Sequence, residues 1–130
     1  MNQSNFTHEK QFQPPEINLP ILKRLTITYK LWHEFLQHFP RTTRYTLGEK
    51  VDLLLLKIMV YIFTASRLKG KNKLPLIEKT SSHLDGIKFL IHITWELKAI
   101  DDKKYIRISE HLSDIGKMIG GWLKQIKSSA

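Results

Sequence analysis

FPRTTRYTLGEKVD, residues 39–52, joins two apolar, helix-patterned segments and is unusually specific for a connection. Pro40 blocks continuation of the preceding helix and biases Phe39 away from helical geometry. Thr46, with Glu49 three residues on, spells a capping box. In that arrangement the threonine hydroxyl accepts from the Glu49 amide, and the glutamate reaches back to the Thr46 amide. The stretch therefore reads as helix, stop and capped restart. Arg41, Arg44 and Tyr45 lie between stop and restart, more recognition chemistry than a bare turn requires. Loops carry function more often than cores do.

Outward from this connection the chain is patterned as helix almost throughout. Before it, Leu22, Leu25, Tyr29, Trp32, Leu36 and Phe39 fall at alternating three- and four-residue steps, an apolar stripe on one helix. Asn18 is placed to cap that helix, and Pro20 sits early, where its missing amide costs nothing. After it, a second helix is predicted from Leu47 to about Lys69, with Val51, Leu54, Ile58, Tyr61 and Ala65 in register. Leu53, Leu55, Leu56, Met59, Val60, Ile62 and Phe63 spread its apolar surface round the cylinder. A helix apolar on most sides must be covered on most sides, which one bundle does only in part. Self-association is the expectation.

Gly70 is placed to end the second helix, Pro75 to start a third that runs to about Ile100, and Asp101 to Lys104 forms a polar turn. The last helix has the cleanest pattern. Tyr105, Ile108, Leu112, Ile115, Ile119, Trp122 and Ile126 are spaced 3, 4, 3, 4, 3, 4, a coiled-coil-like seam. With short loops and no strand-like alternation, the fold class is all-α: an antiparallel up-down-up-down four-helix bundle over residues 19–127. Residues 1–18 read as a disordered arm carrying Phe6 and Phe12, and 128–130 as a short tail.

Composition narrows the function classes. With no cysteine, disulfides, thiolate metal sites and cysteine nucleophiles are excluded. The N-terminus lacks the apolar core of a signal peptide, so no export and a cytoplasmic setting are expected. Leu53 to Phe63 is too short for a bilayer, which needs ~20 apolar residues; no membrane role is assigned. The 21 basic and 12 acidic side chains leave a net charge of +9, which favours acidic partners such as nucleic acid, with a merely solubilising surface as the alternative.

Searching for chemistry leaves little. The six histidines show no helical metal motif: none is read as paired with a histidine or carboxylate four residues away. There is no Gly-rich phosphate loop, no G-x-S-x-G and no H-E-x-x-H. Glu49, Asp52, Asp85 and Glu96 read as partners of lysines within the bundle. Neither a catalytic residue, a metal nor a cofactor is assigned, and the reading is of a noncatalytic protein. Gly116-x-x-x-Gly120-Gly121 suggests close packing against a neighbouring helix, or else a hinge or ligand niche.

The basic residues, by contrast, cluster. Arg67, Lys69, Lys71 and Lys73 mark the second-to-third junction; Lys98, Lys103, Lys104 and Arg107 mark the third-to-fourth. An up-down-up-down bundle places Arg41 and Arg44 near the latter group, and Lys124 and Lys127 near the former. Both ends become basic, either as phosphate-binding surfaces or as ordinary solvated helix ends.

FPRTTRYTLGEKVD (39–52), LDGIKFLIHITWELKAI (84–100) and ISEHLSDIGKMIGGWLK (108–124) resemble three blocks of a family of bacterial four-helix-bundle proteins. That family includes the accessory variability determinant (Avd) of diversity-generating retroelements and the proteins encoded in intervening sequences of bacterial large-subunit ribosomal RNA. The resemblance implies a ring-forming homo-oligomer, a homopentamer, with a basic surface that binds DNA or RNA and, in a retroelement, a reverse transcriptase. Lys88 keeps the charge that relatives often carry in the third-helix block, whereas His92 stands at another such position. The nucleic-acid-binding candidates are therefore the clustered residues Arg41, Arg44, Lys98, Lys103, Lys104, Arg107, Arg67, Lys69, Lys71 and Lys73, with Lys88 added by the resemblance. A structural or protein-interaction bundle without a nucleic-acid role is the alternative.

Overall fold

Pro20 opens the first long helix, its ring at the start where no amide is needed, and four helices carry the chain from there. In the computed structural model, which describes residues 12–14 and 19–128, these are α1 (Pro20–Leu36), α2 (Glu49–Ser66), α3 (Leu74–Glu96) and α4 (Asp102–Ser128). All regular structure among the described residues is helical. Most of the expected arm and the proposed Asn18 cap lie outside the described residues. Leu19 takes the cap position in extended geometry with no side-chain hydrogen bond.

Each helix buries one stripe against its two neighbours. Each fully buried Leu or Ile side chain contributes about 1.5–3 kcal/mol of transfer free energy. The α4 seam is as read: Ile108, Leu112, Ile115, Ile119 and Ile126 are buried, with Tyr105 and Trp122 packed at the margins. On α2 the buried stripe is Val51, Leu55, Ile58, Ile62 and Ala65, so Leu55 and Ile62 displace the expected Leu54 and Tyr61. Both registers satisfy helical periodicity on a helix this apolar, and only the positions of α1 and α3 choose between them. Thr28, Thr80 and Thr94 are buried too, each hydroxyl satisfied by a carbonyl one turn back on its own helix.

Cross-contacts establish the antiparallel order. The Lys104 ammonium lies 5.7 Å from the Phe35 ring centre, joining the start of α4 to the end of α1. At the far end, Lys73 lies 5.4 Å from the centre of the Trp122 ring, and Lys127 pairs with Glu78 at 3.8 Å.

The connections depart from expectation. The capping box does not form. Arg41 already begins a helical turn (Arg41–Thr43), closed by the Arg44 amide on the Pro40 carbonyl at 2.9 Å. Thr46 is inside the helix, not at its edge, and its hydroxyl donates to the carbonyls of Thr42 (2.8 Å) and Thr43 (3.3 Å). A cap needs extended backbone at the capping residue; Thr46 lies in a π-helical stretch, Arg44–Gly48, that runs straight into α2. The wider turn seats Gly48 against α1. A Cβ there would stand 2.5 Å from Leu36 Cδ2, and the Gly48 carbonyl accepts the buried Trp32 indole N–H at 3.3 Å.

Helix ends also move. α1 stops at Leu36, tightening into three-residue turns that bury Phe39 edge-on against Trp32, ring centres 5.3 Å apart. α2 ends at Ser66, and Gly70 (φ +58°) instead opens the short 3-10 turn Gly70–Lys73. α4 reaches Ser128, into the expected tail.

Candidate nucleic-acid interface

Two basic surfaces result, one at each end of the bundle. With an 18-residue α2 between them, at 1.5 Å per residue, they stand roughly 27 Å apart.

At the first end, Arg41 is exposed, but Arg44 is partly committed. Its Nη2 donates to the Gln37 carbonyl at 3.0 Å, tying the frayed end of α1 to the start of the next helix, and its Nε is buried without a partner. Lys98, Lys103, Lys104 and Arg107 join them. The expected polar turn of Asp101 to Lys104 is a helix start: Asp101 Oδ1 accepts the Lys104 amide at 2.9 Å, capping α4, and Lys103 and Lys104 occupy its first turn. Lys104 lies over Phe35, half-buried; Lys98, Lys103 and Arg107 are exposed.

α3 ends at Glu96, four residues short of expectation, in a left-handed turn. The Ala99 amide reaches back to the Thr94 carbonyl and the Lys98 amide to that of Trp95, each at 2.9 Å. This pattern puts Lys98 where glycine is usual, and its φ is +62°.

At the second end, Lys69 and Lys71 are exposed, Lys73 covers Trp122, and Arg67 lies over the Phe63 ring one turn back on its own helix, 5.7 Å from its centre. Lys88 belongs to neither end. It sits midway along α3 facing α4, its Nζ 3.4 Å from where a Cβ on Gly116 would be. Of the three glycines only Gly116 has α3 side chains in van der Waals reach, Lys88 and Leu84, at ordinary distances that leave room for a Cβ; Gly120 and Gly121 have nothing within 4 Å.

Asp52 and Glu96 lie against groups other than the lysines expected. Asp52 lies beside Tyr29, whose pKa is raised by burial first and by that carboxylate second, and Asp52 Oδ1 is buried without a partner. Glu96 takes His92 Nε2 at 3.2 Å, an i,i+4 pair that the sequence spells and the histidine survey missed. Between α1 and α4, Arg24 reaches His111 Nδ1 at 3.3 Å and Asp114 at 4.0 Å. Burial, then the Arg24 and Arg107 charges, hold the His111 imidazole below its ordinary value, against Asp114 and Glu110. The lowered pKa suits a neutral ring accepting from the guanidinium.

Sequence reasoning also missed an aromatic group at the first end. Trp95 and Tyr105 stack with centres 5.4 Å apart, His92 lies 5.7 Å from Trp95, and the Trp95 indole N–H donates to Asp102 at 2.8 Å. The His92–Trp95 spacing of three was the available signal; its third member comes from another helix.

Among the described residues no cluster of His, Asp or Glu is placed to hold a metal, and no helix is long and apolar enough to cross a membrane. Comparison with curated proteins returns no match. A family model described as bAvd-like matches residues 19–126, from the start of α1 almost to the end of α4, and the chain belongs to that Avd-like family of four-helix bundles.

Proposed function

We propose that the protein is a noncatalytic nucleic-acid-binding accessory factor that partners a reverse transcriptase and acts as a ring-shaped homo-oligomer of five copies. The observation that carries this reading is the set of exposed cations at the bundle ends. Arg41, Lys98, Lys103 and Arg107 at one end, and Lys69 and Lys71 at the other, have no ion-pair partner among the described residues. Family membership supports an accessory rather than catalytic part. Self-association is supported by the outer face of α2, where Leu53, Val60 and Phe63 are more than half exposed, at 56%, 61% and 51%. An oligomer would multiply a modest protomer footprint into avidity.

Fluorescence anisotropy with DNA and RNA oligonucleotides tests it. Binding is expected at ~50 mM salt and should weaken steeply by ~200 mM, because neutralised phosphates release counterions. Changing Arg41, Lys103, Lys104 and Arg107 to glutamine should reduce both affinity and salt slope. Absence of binding at the lower salt refutes the proposal. The exposed α2 face also favours a second reading, a protein-interaction bundle whose charge is incidental. In that case the same four substitutions leave partner capture intact.

A further inference from the structure

We propose that the cleft between the end of α3 and the start of α4 is a subsite for one unpaired, amino-bearing nucleobase, with the adjoining phosphate held by Lys98 and Lys103. The inference rests on the nucleic-acid reading above and adds to it the type of strand and base.

The cleft encloses about 780 Å³, and Trp95, Glu96, Lys98, Asp101, Asp102 and Lys103 are among its walls. That volume is within the range of small-molecule clefts, roughly 300–1,000 Å³. Its aromatic wall is fixed before any ligand arrives. Trp95 is held by its hydrogen bond to Asp102 and by the stacked Tyr105 ring. A preset ring loses little freedom on binding, and base–aromatic stacking tolerates any base.

The charges then divide the nucleotide. Glu96, Asp101 and Asp102 each have one oxygen engaged, by His92, the Lys104 amide and the Trp95 indole respectively. The second oxygen of each has no protein partner among the described residues. Three carboxylates repel a phosphate from the interior but accept hydrogen bonds from an exocyclic amine, as acidic side chains do from cytosine N4. Uracil and thymine offer these oxygens only the single N3–H and set the O4 acceptor against them, so they would be disfavoured. The phosphate is left to the rim, where Lys98 and Lys103 are exposed and unpaired. Lys98 reaches that rim from the left-handed backbone position that glycine fills at lower cost. Strained backbone of this kind concentrates at functional sites.

The test uses the full chain and short single strands that differ on the pyrimidine Watson–Crick edge, cytosine offering the N4 amine and uracil O4 with a single N3–H: oligo-C against oligo-U for RNA, oligo-dC against oligo-dU for DNA. The two pairs also decide which backbone is preferred. The amino-bearing strand should bind about fivefold tighter or better and quench tryptophan fluorescence, with stacking alone giving about tenfold per base. Trp95→Phe should remove most of that quenching, and Glu96→Gln should shrink the C-to-U ratio. Lys98→Gln with Lys103→Gln should weaken both strands alike and leave the ratio standing. If Trp95→Phe does not fold, the base ratio measured on the unaltered protein still decides. Equal binding of C and U strands overturns the subsite, whatever the quenching, and leaves general nucleic-acid binding in place. No binding to any strand overturns both.

Discussion

Lys98 is the one non-glycine residue at positive φ among the described residues, at +62°. Nothing in Leu97-Lys98-Ala99 announces a stop, since the usual glycine signal is missing, and reading the apolar pattern forward carries the helix on to Ile100. The chain instead turns there because Ile100 is buried and Asp101 is needed as the cap of α4. Lys98→Gly relieves the Cβ conflict and should stabilise the fold by about 1 kcal/mol. For a domain of this size that corresponds to a rise in Tm of roughly 4 °C, read from a circular-dichroism melt. A fall in Tm would mean that the lysine side chain holds the turn. Arg44 gives the opposite lesson: a residue marked for recognition by its place in a loop donates to the Gln37 carbonyl.

At the scale of elements, α2 explains most of what was and was not legible. Its helicity and excess of apolar residues are plain in the sequence, but its start and its buried register are not. Thr46 and Glu49 match a capping pattern, yet Pro40 had already launched the helix, and the close seat of Gly48 on Leu36 and Trp32 favours a π-helical turn through the would-be cap. The register left Leu53, Leu56, Val60 and Phe63 on the outer surface. If that stripe joins copies, Val60→Glu with Phe63→Glu should convert the oligomer to a monomer by light scattering, with helical content unchanged. A wild-type protein that is already monomeric would remove self-association from the proposal.

For the whole molecule, the separation of the two basic ends is the decisive length. Roughly 27 Å is well beyond the ~10 Å Debye length at 0.1 M salt. Charges at one end therefore barely influence binding at the other on the same protomer. If the two ends bind strands separately, neutralising Lys69 and Lys71 together with Arg41, Lys103, Lys104 and Arg107 should cost more than the sum of the two separate losses, because either set alone leaves the other end to bind. Losses that add within about 0.5 kcal/mol in anisotropy titrations would point to one strand engaging both ends, within a protomer or across an assembly.

The sequence by itself determined four helices, their antiparallel order, the α4 seam and the excess of positive charge. Helical periodicity is a property of local backbone geometry, and short connections leave adjacent helices little choice of direction. Only the tertiary structure decided which arginine is spent on a carbonyl, where the π-helical turn falls and which α2 face is left open. It also decided that Trp95, Tyr105 and His92 gather beside Lys98. These depend on partners from distant parts of the chain, and a one-dimensional pattern carries no record of which partner arrives. Residues 39–52 show both sides: Pro40 broke the helix where its ring requires, and the packing of Trp32 against Gly48 governed how the next one began.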